Sequence, residues 1–126
     1  MKSTILYFLT FLTAFFAGIK ASMIAVGFLI FIDTVLGMMA AYKVKEKISS
    51  RKFSRVLIKM LAFQLLIISA HIVNLYLFKA LPLVEITLGF LSVHEFLSIA
   101  ESFTKLTGMP FVSYIKEIIQ SKFNNK

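Results

Sequence analysis

Four long apolar runs make up most of the chain, broken by one strongly basic segment from Lys43 to Lys59. A helix that crosses a bilayer needs about 20 mostly apolar residues. The stretches 3–19, 21–42, 56–78 and 80–103 meet that length. The first carries no charge, the second only Asp33, and the third only Lys59 near its start. The fourth is the most polar, with Glu85, His94, Glu95 and Glu101. A carboxylate at a helix centre costs about 2.5–3.5 kcal/mol on insertion scales. The fourth run is therefore expected to enter a membrane as the return arm of a hairpin with the third.

The connections are short. Gly18 and Lys20 mark a tight turn between the first two runs, and Lys79 with Pro82 marks another, where Pro can open the next helix. The one long connection is the basic loop 43–55, where Ser49 or Ser50 is placed to cap a lead-in to the third helix. Thr107-Gly108-Met109-Pro110 reads as a helix stop and restart. Beyond it, Phe111, Val112, Ile115, Ile118, Ile119 and Phe123 share a stripe, with Lys116, Glu117, Gln120 and Lys122 off it. This pattern predicts a helix over 111–123, either lying in an interface plane or projecting as a solvated end. The last three residues, Asn124-Asn125-Lys126, read as a frayed tail. The expected fold is an all-α membrane protein, a single membrane domain over 1–126. It has four transmembrane helices and a C-terminal amphipathic interfacial helix.

Composition narrows the class. Hydrophobic residues make up 59% of the chain and the mean hydropathy is +0.87, which excludes a soluble domain. The first run has Lys2 and small residues at Ala14 and Ala17, as a signal peptide would. Only Lys20 separates it from the next apolar run, so it reads as a retained span. The absence of Cys removes disulfides and thiolate ligands. With only His71 and His94 besides, no zinc set of the usual kind forms. No nucleophile–base pair or phosphate loop stands out, so neither an enzyme nor a catalytic, cofactor or metal site is expected.

The net charge is +8. In a four-span arrangement, one side holds Lys2, Lys43, Lys45, Lys47, Arg51, Lys52, Arg55, Lys59, Lys105, Lys116, Lys122 and Lys126. That is 12 of the 14 Lys and Arg, leaving Lys20 and Lys79 on the other side. The positive-inside rule then puts both termini in the cytoplasm. Lys43, Lys45, Lys47, Arg51, Lys52, Arg55 and Lys59 lie beside membrane helices. They read as contacts to anionic lipid rather than as a nucleic-acid site.

The polar residues inside the spans carry the remaining information. Asp33, Gly37, Ala40 and Ala41 share one face of the second helix, a seam on which small residues admit a neighbouring helix. Asp33 there serves either as a packing hydrogen-bonder or as a functional carboxylate. At 1.5 Å per residue, Asp33 lies about 13 Å deep and Gln64 and Glu95 about 12 Å, which predicts a polar layer. A carboxylate in that layer must pair, take a proton or meet water. Lys59 is placed either to pair with Glu101 or to snorkel. Glu95, Ser98 and Ser102 form a strip on the fourth helix, with Glu101 close by and Ser92 and Glu85 extending it. These residues and Gln64 are the candidates for a polar or pore-lining face. His71 and His94 suit helix–helix hydrogen bonds, or pH sensing in an aqueous site.

Asp33-Thr34-Val35-Leu36-Gly37 with Ala40-Ala41, then Ser50-Arg51-Lys52 with Arg55 and Lys59, then Glu95, Ser98-Ile99, Glu101-Ser102 and Gly108-Met109-Pro110 occur in that order. The series resembles the small phage holins, the group that includes the toxin-secretion and phage-lysis holins. The resemblance spans about 28–110. The chain departs from it with Ser102 where Asn is usual, and with Gly108 and Pro110 closer together than in some members. The resemblance implies a phage-encoded protein of the bacterial host's inner membrane that accumulates harmlessly. It then oligomerises with itself at a set time and forms lesions that let an endolysin reach the wall, without necessary direct contact. Related proteins export large toxins. Two other classes fit the residues: a small proton-coupled transporter built on Asp33, and an antiholin-type regulatory membrane subunit.

Overall fold

The computed structural model describes residues 1–47 and 50–124, and they are all-helical, without a strand. The cap expected of Ser49 and the tail residues Asn125 and Lys126 lie outside the described residues. The helices are α1 (Lys2–Ala17), α2 (Lys20–Lys43), α3 (Ser50–Ile72), α4 (Leu83–Thr107) and α5 (Phe111–Asn124). A π-helical turn, Val73–Leu77, extends α3.

Among the described residues, three helices are long and apolar enough to cross a membrane: α2, α3 with its π-helical extension, and α4. The 24 residues of α2 reach about 36 Å, more than the roughly 30 Å of a hydrocarbon core. The 16 residues of α1 reach about 24 Å. It stops at Gly18, and Ile19 is buried at the turn into α2.

The basic segment differs from the expected loop 43–55. α2 runs to Lys43, and Lys45 at φ 61 turns the chain out of it, with the Glu46 amide donating to the Ala41 carbonyl at 2.9 Å. α3 then starts at Ser50. Arg51, Lys52 and Arg55 therefore stand on a helix rather than in a loop. Long, unbranched Arg and Lys side chains lose little rotamer freedom in a helix, so the apolar run extends backwards into its basic flank.

At the opposite end, α3 and α4 are joined by a turn that Asn74 holds. Its Nδ2 donates to the carbonyls of Phe78 (3.2 Å) and Leu81 (2.6 Å), and its Oδ1 accepts from the Val84 amide (3.0 Å). One side chain thus satisfies groups at the end of one helix and the start of the next. Glu85 in the first turn of α4 suits the positive end of the helix dipole. α4 ends at Gly108, whose φ of 75 is the left-handed conformation that glycine adopts without strain.

α2 and α4 form the most extensive helix pair, with α3 against both and α1 packed beside the start of α2. The core is Ile19, Val26, Ile30, Ile67 and Leu91, in the half of the bundle away from the basic segment. α1 buries no residue. It is held by His71, whose Nε2 lies 2.8 Å from the Phe15 carbonyl and whose ring packs 4.8 Å from the Phe15 ring.

Candidate functional site

A buried ion cluster lies where α2, α3 and α4 meet. Lys59 Nζ stands 2.9 Å from Asp33 Oδ2 and 3.1 Å from Glu95 Oε1. It donates to Glu95 Oε2 over 3.4 Å. Ser98, one turn from Glu95 on α4, donates to Asp33 Oδ1 at 2.7 Å. The depths explain the meeting. Counted from the basic ends of their helices, Lys59 lies about 14 Å in, Asp33 about 15 Å and Glu95 about 18 Å.

Burial grades the three groups. Glu95 is 0% exposed, Asp33 7%, and the Lys59 side chain 26%. Glu95 Oε1 is buried and, despite the 3.1 Å ion-pair distance, accepts no aligned hydrogen bond. Asp33 is better served, with a short ion pair to Lys59 and the Ser98 hydroxyl. Taking charges out of water costs several kcal/mol each, so such a cluster persists only while its members compensate one another.

A cavity of about 280 Å³ runs from this cluster toward the basic end of the bundle. Asp33, Lys59 and Ser98 form its deep part, Gly37, Ala41 and Ser102 its walls, and Glu46, Lys52 and Lys105 its rim. Its walls are partly apolar, but polar groups line its deep end and its rim, and it is roomy enough for several waters. Lys52 pairs with Glu46 at 3.5 Å, both side chains being exposed.

The structure brings together some of the expected residues and separates others. The polar layer of Asp33, Gln64 and Glu95 forms without Gln64. Gln64 is five residues beyond Lys59, about 8 Å further along α3, and it donates to the Met23 carbonyl at 3.1 Å. Lys59 pairs with Asp33 and Glu95 instead of Glu101, because α3 starts at Ser50 and so carries Lys59 deeper. Glu101 is exposed, six residues from Glu95 and so turned roughly 120° from it on the helix. Glu85 is exposed at the far end of α4, and Ser92 is half-buried. The strip from Glu85 to Glu101 is therefore not one face of a single copy. Its middle, Glu95 and Ser98, is turned inward, and Glu95 is sealed within the single copy.

The seam on α2 also divides. Ala40 is buried, but a Cβ at Gly37 would meet nothing within 4 Å, so Gly37 opens onto the cavity instead of admitting a close helix. Lys43 donates to the Leu106 carbonyl at 2.6 Å, tying the basic ends of α2 and α4. Lys45, Lys47, Arg51 and Arg55 are exposed. His71 is a helix–helix hydrogen-bonder, whereas His94 is exposed and lies against the Phe63 ring.

Two residues with structural weight escape the sequence pattern. Lys59 belongs by spacing to a run of basic residues, and only its position well inside α3 marks it as a partner for carboxylates. Asn74 is an amide in an otherwise apolar stretch eight residues before Pro82, the one signal that it staples a turn.

On the opposite side of the α2–α4 pair, α5 folds back onto α4. Phe111 packs its ring edge-on to Phe96 and Phe103, at centroid distances of 6.2 and 5.8 Å. These residues, with Leu36, Ile99 and Tyr114, line a wholly apolar hollow of about 560 Å³.

Three apolar helices of spanning length around a buried ion cluster define a small polytopic helical membrane protein. Its sequence matches the bacteriophage holin family over residues 10–122, and the chain belongs to that family. The match covers α2, α3 and α4 in full, the second half of α1 and most of α5. It is not a family of enzymes. Neither the curated proteins nor the solved structures contain a match to the chain.

Proposed function

We propose that this chain is a lesion-forming holin of the bacterial inner membrane, which assembles with itself and releases an endolysin to lyse the host. The observation that carries this reading is family membership over residues 10–122. The shape suits it. Each spanning helix presents exposed apolar residues, and α1 presents most of its surface, to lipid or to other copies. The structure is then the resting form, with its most costly charges compensated inside one copy. In the assembled form, Ser92, Ser98 and Ser102 with Glu85 and Glu101 line water. Lys43, Lys45, Lys47, Arg51, Lys52 and Arg55 contact anionic lipid. α1 crosses the membrane as a fourth span, both termini are cytoplasmic, and α5 lies in the interface.

The sealing of Glu95 within one copy favours a second reading, an antiholin-type regulatory subunit. Crosslinking in membranes during lysis separates the two. A ladder well beyond the dimer, shortened by Ser98→Leu, supports the lesion. A chain that stays monomeric at high density and delays lysis by another holin supports the regulator. Single cysteines at Lys47 and Lys79 test the topology: Lys79 is expected to label from outside and Lys47 to be protected.

A further inference from the structure

The ion cluster does not balance. It sets two carboxylates, Asp33 and Glu95, against one ammonium, Lys59, among helices that span a membrane. The groups facing it are few. From α2 come Asp33 and, at the cavity rim, Glu46. From α3 come Lys59, with Lys52 at the rim and neutral Gln64 further along. From α4 come Glu95 and Ser98, with Lys105 at the rim. Glu46 and Lys52 pair with each other. His94 is exposed on another face of α4. α1 and α5 contribute no lining residue to the cavity. Among the described residues, no second cation reaches the two carboxylates, and an uncompensated carboxylate in a dry site costs several kcal/mol.

We propose that Glu95 and Asp33 with Lys59 form a proton-binding site, in which the resting protein carries one exchangeable proton on Glu95, taken from water in the cavity at the basic end of the bundle. Geometry chooses Glu95. Asp33 has the 2.9 Å ion pair and the Ser98 hydroxyl, as a charged carboxylate requires, whereas Glu95 is fully buried with an oxygen that accepts no aligned hydrogen bond. The protonated count is one carboxylate to one ammonium, and the cluster is neutral. The route is short. The cavity reaches Asp33, Lys59 and Ser98, with Glu95 immediately behind Lys59. Release of the proton to cavity water leaves a net negative charge between α3 and the α2–α4 pair, a cost relieved by admitting water or moving α3 outward. The closed bundle is thus tied to occupancy of a single proton. This deepens the lysis reading by adding a control point, but the site exists or fails independently of lysis.

The test is infrared difference spectroscopy on the full chain in lipid vesicles, reading the C=O stretch of a protonated carboxyl apart from the carboxylate bands. Wild type is expected to show one buried carboxyl per chain at neutral pH, lost on raising the pH. Glu95→Gln and Asp33→Asn are each expected to abolish it, since either leaves one carboxylate to one ammonium. Lys59→Arg is expected to keep it, and answers the question if either other variant fails to insert. Wild type without the band at neutral pH overturns the proposal, as does a band unchanged in both Glu95→Gln and Asp33→Asn. Loss of the wild-type band on adding sodium or potassium also overturns it, because a metal cation then fills the place given to the proton. The measurement needs no endolysin, so its failure leaves the lysis reading standing, and failure to lyse leaves the proton site standing.

Discussion

Replacing Lys59 with Met removes the one cation of the cluster while keeping much of the side chain's volume. It leaves Asp33 and Glu95 facing each other without compensation. Breaking a buried ion pair by removing one partner costs about 3–5 kcal/mol. Lys59 is partly exposed to the cavity, and the remaining carboxylates can take up protons or water, so the loss falls at the lower end. About 3 kcal/mol corresponds to roughly a hundredfold change in the folded-to-unfolded ratio. Reversible denaturation in mixed micelles, followed by circular dichroism, reads that change. The triple replacement Asp33→Leu, Lys59→Met, Glu95→Leu supplies the control, because exchanging an entire buried ion cluster for apolar groups is often neutral or stabilising. It is expected to return stability to within about 1 kcal/mol of wild type. A Lys59→Met protein as stable as wild type, or a triple variant no more stable than Lys59→Met, would refute the claim that the three groups compensate one another.

Other perturbations read separate parts of the fold. Asn74→Ala removes three hydrogen bonds from the α3–α4 turn and is expected to cost about 1–3 kcal/mol in the same denaturation experiment, with faster proteolysis near Lys79. His71→Leu removes the tie to the Phe15 carbonyl, and a single cysteine introduced at Phe16 is expected to become more reactive while α2–α4 packing is unchanged. Asp33→Asn is expected to insert normally and to shift the time of lysis. Unchanged timing would reduce the carboxylate to a packing hydrogen-bonder.

The helical content, the span 21–42 and the stop at Gly108 are legible in the sequence, because apolar length and a glycine before a proline are local signals; the fourth run, read as 80–103, is helical over Leu83–Thr107. The amphipathic helix over 111–123 is legible for the same reason, and α5 runs from Phe111 to Asn124. The start of α3 is not. Basic residues that look like a solvated loop are also good helix formers, and hydropathy does not distinguish the two. That error of six residues, from Val56 back to Ser50, moves Lys59 about 9 Å relative to the helix end. It conceals the ion cluster, turning a partner of Asp33 and Glu95 into an apparent surface cation. Asp33 and Glu95 are recognisable as members of one layer from their depths alone. Gln64 is assigned to that layer by the same error, since a later helix start makes it appear shallower than it is. The division of the α4 strip follows from helical angle, which turns Glu101 roughly 120° away from Glu95 although the two are only six residues apart.

The central claim is that this chain opens the inner membrane to an endolysin. Co-expression in bacteria with an endolysin that has no export signal of its own tests it most directly, read as culture lysis and endolysin activity outside the cytoplasm. The account predicts abrupt lysis after a delay when both are made, and none when the endolysin is made alone. Endolysin that stays inside intact cells while this chain accumulates in their membranes would contradict it.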